Sequence, residues 1–202
     1  MTGADQVSVR TPNALVTVDY RTGNTTLRAL VRDSDSAPPG SVVRHDGSAF
    51  SWGTLEVPTV LPRPHPVPLR WLLGAVPAIV VTLAVKAVGT RRRRFARVVR
   101  LAGIGRSLPP ASDTQTLLAV RAVRLVSAVV PARWACLEQS TAAAVLLALA
   151  GRRGEWRHGV ATDPVRLHAW MAGRAGHPVA EPADTAHYTP TCTPDGPVRA
   201  QR

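Results

Sequence analysis

Cys136-Leu137-Glu138-Gln139-Ser140-Thr141-Ala142-Ala143-Ala144-Val145-Leu146-Leu147-Ala148-Leu149-Ala150 is the stretch on which the reading of this chain turns. It is rich in strong helix formers, stops at Gly151, and follows Pro131 and the irregular Ala132-Arg133-Trp134-Ala135. The pattern predicts a helix that begins at Cys136. A free thiol has a pKa of about 8.5 and reacts poorly until a helix N-terminus or an imidazolium stabilises the thiolate. The unpaired N–H groups of a helix start and the helix dipole both favour an anion there. The N–H of Cys136 is also suited to hold the oxyanion of a tetrahedral intermediate. Glu138 fits the same field.

An imidazole is needed within reach of that thiol. After Gly151 to Gly154, Trp156 to Thr162 reads as a strand, Asp163-Pro164 as a turn and Leu167 to Met171 as a second strand. Gly173 and Gly176 bracket a hairpin turn, and a third short strand is expected near Pro178 to Glu181. His168 lies 32 residues after Cys136, in Leu167-His168-Ala169-Trp170. With a period of two, His168 and Trp170 share one face while Leu167, Ala169 and Met171 take the other. The third group of a Cys/His site, which holds the imidazole tautomer, is Glu181 at the end of the expected adjacent strand, or failing that Asp184. Two plainer readings compete: the thiol as a small buried hydrophobe and the imidazole as a packing residue. Metal binding by His168, His177, His187 and Cys192 is disfavoured, because their spacings match no zinc pattern. The remaining histidines, His158 included, read as surface or turn residues.

The N-terminal texture is different. Leu15 to Tyr20, the turn Arg21-Thr22-Gly23-Asn24 and Thr25 to Val31 predict a β-hairpin with Val16, Val18 and Tyr20 on one face. Ser34 to Gly40 is linker-like, Val42 to Val57 adds candidate strands, and five prolines between Pro58 and Pro68 keep the chain extended. The expected division is a small β-rich accessory domain with its Pro-rich linker over 1–65, and a helical region plus catalytic domain over 66–202. An extended peptide could add a strand to the hairpin's open edge.

Trp71 to Val85 is an apolar run between Arg70 and Lys86. Its 15 residues rise about 22 Å as a helix, short of the roughly 30 Å hydrocarbon layer, and Pro77 is expected to kink it. A buried or partner-facing helix is the first reading; peripheral membrane association through this run and the Arg91-Arg92-Arg93-Arg94 cluster is the second. Between Arg91 and Pro131 the pattern is helical, broken at Ser107 to Ala111, with Ser112 or Asp113 capping a helix over Thr114 to Val130.

The 202 residues, 45% of them apolar, are enough for one or two small cores. Two cysteines, Cys136 and Cys192, make no disulfide framework, and Met1 to Arg10 is too polar for a secretory signal. A reducing, cytoplasmic setting is expected. Cys192, in a Thr-Pro-rich tail, reads as a bystander. The net charge of +12 would ordinarily suggest nucleic acid, but no zinc-finger spacing, phosphate loop or aromatic RNA-binding pattern accompanies it, and no nucleic-acid partner is expected.

Taken together and in order, Cys136-Leu137 with Ser140, Arg152 to Gly154, Gly159-Val160 with Asp163-Pro164, His168-Ala169-Trp170 and Glu181-Pro182 with Tyr188 resemble a known family. From about Leu69 to Thr193 the chain is similar to the B2 proteins of lasso-peptide biosynthesis, the microcin J25 processing protein family. The resemblance implies an α+β fold with a transglutaminase-like, papain-like cysteine protease core, a nucleophile helix packed on a small antiparallel sheet. It implies Cys136 as nucleophile, His168 as its base and Glu181 or Asp184 as the third member. The implied reaction removes the leader from a ribosomally made precursor peptide and needs no cofactor. The implied partners are that precursor, a leader-binding recognition protein and the ATP-dependent macrolactam synthetase. Two departures stand out: Gln139 replaces an arginine frequent in the family, and Met171-Ala172 replaces a Val-Glu pair. No glutamine lies a few residues before Cys136, so the second oxyanion donor is unassigned. The rival functions are a noncatalytic membrane-associated scaffold that presents the precursor, and acyl transfer to an amine.

Overall fold

The computed structural model describes residues 5–10, 14–30, 41–44, 66–132, 134–162 and 165–198. Among these, four helices run in chain order: α1 (Leu69–Ala87), α2 (Arg94–Ala102), α3 (Asp113–Ser127) and α4 (Cys136–Leu149). The C-terminal sheet contains β5 (Glu155–Thr162), β6 (Val165–Ala172), β7 (Thr189–Thr193) and β8 (Gly196–Pro197) in the order β6-β5-β7-β8, antiparallel throughout. The N-terminal sheet contains β1 (Gln6–Arg10), β2 (Ala14–Asp19), β3 (Thr25–Ala29) and β4 (Ser41–Arg44) in the order β3-β2-β1-β4, with β4 parallel to β1 and the other pairs antiparallel.

Helix α4 is the hub, touching the other three helices and, on its sheet side, β6 and β5. Its sequence dictates this, because a helix apolar on all sides must be buried on all sides. Thr141 to Leu147 is an unbroken buried run, and its alanines let neighbouring backbones approach closely. Trp156 on β5 fixes the helix to the sheet by donating its indole N–H to Ser140 Oγ at 2.9 Å. Helix α3 starts with a reciprocal cap in which Ser112 Oγ accepts from Gln115 N–H and the Gln115 carboxamide oxygen accepts from Ser112 N–H, so Ser112 and not Asp113 is the cap. Helix α1 continues through Pro77, its inner face of Trp71, Ala75, Ala78, Ile79 and Thr82 packed inward.

The N-terminal hairpin forms as the alternation of Val16, Val18 and Tyr20 requires, with Gly23 at φ +79° in its turn and Phe95 of α2 packed against it. β1 was not anticipated: a segment read as merely polar carries Val7 and Val9, both fully buried, on one face. These valines join the same apolar cluster as the helices and the C-terminal sheet. The Ser34 to Gly40 linker, most of Val42 to Val57, the prolines up to residue 64 and the Asp163-Pro164 turn lie outside the described residues, as does the boundary near residue 65.

One strand expectation fails. Pro178 makes only an isolated bridge to Ala172, and Ala180 takes a left-handed φ of 56° that turns the chain away. Prolines at 178 and 182 also remove two ladder donors. The third strand is instead β7, in the segment read as a tail, and it carries Cys192 into the core at 1% exposure.

Candidate active site

Cys136 is the first residue of α4. Ala135 has no side-chain acceptor, so the helix start is capped from one side only, by Glu138 Oε2 accepting the Ala135 N–H at 3.1 Å. That leaves N–H groups at the first turn free to serve an anion. The backbones of Leu137 and of Ala169 on β6 both favour the Cys136 thiolate. Glu138 is in turn anchored by Lys86 at 2.6 Å, which ties the end of α1 to the mouth of α4.

His168 lies on β6, the edge strand of its sheet, and lines the same cavity as the Cys136 thiol. Its ring stacks on Trp170 at 5.9 Å with planes 10° apart, and Tyr188 closes from another side at 5.4 Å. The residue opposite His168 on β5 is Gly159. A Cβ there would come within 2.5 Å of Thr189 O and 2.8 Å of the Trp170 ring. Glycine is therefore what allows β7 and the Trp170 indole to close beneath the imidazole. Ala169 and Met171, on the alternate face, join the apolar cluster with α4.

Glu181 receives His168 Nε2 at 3.0 Å through Oε2, while its Oε1 takes Arg124 of α3 at 2.6 Å. The side chain is 8% exposed, so both oxygens are held in a dry setting. Arg124 also donates to Ala180 O, bracing the left-handed residue that swings Glu181 under the imidazole. Asp184 points elsewhere, to Arg166 at 3.7 Å. Of the sequence candidates, the structure thus brings Cys136, His168 and Glu181 into one chain of contacts and leaves Asp184 beside it. With Nε2 occupied by Glu181, Nδ1 is the nitrogen left for the thiol.

Burial alone would hold the Cys136 thiol neutral; it is outweighed by the His168 hydrogen bond, the Ala169 and Leu137 contacts and the His168 charge, and the thiol pKa falls below its ordinary value. Burial likewise opposes protonation of His168, but bonds to Cys136 and Glu181 and their negative charge push its pKa up to about 9. The pair therefore favours thiolate and imidazolium. Cys192 behaves oppositely, since burial pushes its thiol up to about 12.

A cavity of about 120 Å³ opens at the thiol, walled by Val120, Trp134, Ala169 and Met171 and edged by Arg124 and Gln139. None of these six residues is a site candidate in the sequence, and the two polar ones matter most for chemistry. Gln139 was noted only as a departure from a family pattern, although its place one helical turn after Cys136 puts it on the same face. Arg124 had no local signal, because its partner is 57 positions away.

Against this geometry, residues 79–193 match the model of the transglutaminase-like superfamily, more than half of the chain. The chain belongs to the transglutaminase-like superfamily. The match spans every element that builds the site, from within α1 to β7. No curated protein and no solved structure matches the chain. As a superfamily member its mixed α/β architecture, with a thiol-bearing helix start against an antiparallel sheet, is compatible with cysteine-protease chemistry. Among the described residues no three His, Cys, Asp or Glu side chains converge as a metal site. One histidine expectation is corrected: His158 is no surface residue but is buried at 4% exposure, its Nδ1 2.7 Å from Tyr20 Oη, because β5 turns its alternate face into the junction with the N-terminal sheet.

Proposed function

We propose that this protein is a cysteine peptidase that removes the leader from a lasso precursor peptide. The observation that carries the reading is the contact chain from a thiol at the α4 mouth through His168 to the Arg124-held Glu181. In this mechanism the Cys136 thiolate attacks the scissile carbonyl carbon, and the carbonyl electrons move onto oxygen. The N–H of Cys136 and the Gln139 carboxamide at the cavity edge serve as the two oxyanion donors. Collapse of the tetrahedral species expels the amine, which takes its proton from the His168 imidazolium, leaving a thioester on Cys136. Neutral His168 then takes a proton from water as it attacks the thioester, and the leader departs as a carboxylate. Glu181 fixes the imidazole tautomer and stabilises its cation; Asp184 is the reserve candidate for that role. The leader-binding recognition protein and the macrolactam synthetase are proposed as partners that deliver and consume the substrate, in a cytoplasmic setting.

The test incubates the full chain and its Cys136→Ala variant with precursor and recognition protein, read by mass spectrometry. The peptidase reading expects two products whose masses sum to the precursor plus one water, and no cleavage by the variant. Retained activity in Cys136→Ala would support a noncatalytic scaffold instead. Joining of the acyl half to an added amine, with no hydrolysis, would support acyl transfer.

A further inference from the structure

Helix α1 presents two faces of opposite environment. Its inner face packs on α2, α3 and α4, whereas Leu69, Leu73, Val76 and Val80, at positions i, i+4, i+7 and i+11, are 68%, 63%, 49% and 58% exposed. Pro77, Val81, Ala84 and Val88 widen this outer stripe. A helix of 19 residues carries it for about 28 Å. By length and composition the helix is apolar enough to cross a membrane, but its packed inner face and the Lys86–Glu138 pair hold it against the protein body.

The charge around this stripe has one sign. Arg70 stands at one end; at the other, the exposed Arg91, Arg92, Arg93 and Arg94 begin three residues after Val88. Arg97 donates to Val85 O and Thr90 O, folding the arginine segment back against the end of α1. From Val57 to Ser112 the chain contains no aspartate or glutamate. A second copy of this face would meet it with like charge, and an apolar protein partner would leave the arginines unanswered. A surface that is apolar within and anionic at its rim satisfies both features.

We propose that the outer face of α1 and the adjoining Arg91–Arg94 segment seat the protein on an anionic lipid bilayer, with α1 lying in the plane of the interface. Leu73, Val76 and Val80 enter the acyl boundary while the guanidinium groups bind lipid phosphates and carboxylates.

The experiment sediments the full chain with vesicles of phosphatidylcholine alone and of phosphatidylcholine mixed with phosphatidylserine. Binding is expected to be at least about tenfold tighter to the mixed vesicles and to fall with added salt. Leu73→Glu with Val80→Glu should abolish binding to both vesicle types. Replacing Arg91 to Arg94 by glutamine should remove the phosphatidylserine preference. Thermal melting and light scattering accompany each variant, and the arginine variant leaves the apolar face untouched should the first variant fold poorly. Equal binding to the two vesicle types, no binding at all, or a dimer dissolved by the Leu73 and Val80 changes would overturn the proposal.

Discussion

At the scale of single residues, the proposed mechanism makes separate demands on Gln139, Arg124 and Glu181. Gln139 shares a helix face with Cys136 and edges the cavity at the thiol. Removing one oxyanion donor costs roughly 10²–10³ in kcat. Gln139→Ala and the isosteric Gln139→Glu are expected to lose that much kcat with KM little changed, while Gln139→Arg, which restores a donor, recovers most of it. A loss confined to KM would assign Gln139 to substrate binding. In the proposed mechanism Arg124 and Glu181 set the basic limb of the pH profile. His168 must hold its proton to release the amine, and its pKa is raised to about 9 against its burial by bonds to Cys136 and Glu181. In Glu181→Gln the charge disappears, so the basic limb of kcat/KM should move from near pH 9 toward lower pH. The acid limb belongs to Cys136 and should lie below that of an ordinary thiol. An unmoved basic limb in Glu181→Gln would detach that carboxylate from the imidazole.

At the scale of elements, the packing of β5 between β6 and β7 is what brings His168 to the α4 mouth. Gly159→Ala should force β7 and Trp170 apart, because both lie within 3 Å of the new Cβ. Overpacking of this kind costs about 1–3 kcal/mol, which for a chain of this size lowers Tm by about 2–12 °C. A variant melting like the parent would show that β7 does not close there. The same elements show what a sequence can disclose. The α4 start at Cys136 and the β5–β6 hairpin were legible, because a run of strong helix formers after a proline and a period-two pattern are local signals. The path that returns Glu181 to His168 was not, since it depends on a left-handed Ala180 braced by Arg124, a contact spanning 56 positions. β7 was hidden by its prolines and threonines, and β1 by its shortness among polar neighbours.

At the scale of the whole molecule, the N-terminal sheet and the C-terminal sheet meet at one buried polar joint. Tyr20 Oη lies 2.7 Å from His158 Nδ1 and 2.6 Å from Thr191 Oγ1, linking β5 and β7 to the residue that follows β2. Burial, assisted by the charge of His168, lowers the His158 pKa to about 4. The unfolded chain binds this proton below about pH 6.5, whereas the folded protein refuses it until pH 4. Stability conferred by neutral His158 is therefore full above about pH 6.5 and declines as the pH falls toward 4, by a total on the order of 3 kcal/mol. Melting curves should show this acid slope in the parent and a flatter one in His158→Gln. An identical slope in both proteins would place the acid sensitivity elsewhere.

The account as a whole requires that Cys136 be ionised by His168, and the pH dependence of thiol alkylation measures this in the intact protein. With iodoacetamide and peptide mass spectrometry, Cys136 should react at pH values below those where an ordinary thiol ionises, and Cys192, buried and with its pKa near 12, should remain unlabelled. In His168→Ala the Cys136 inflection should move upward. Coincident inflections for Cys136 in the parent and the variant would contradict the thiolate–imidazolium pair and the peptidase built on it.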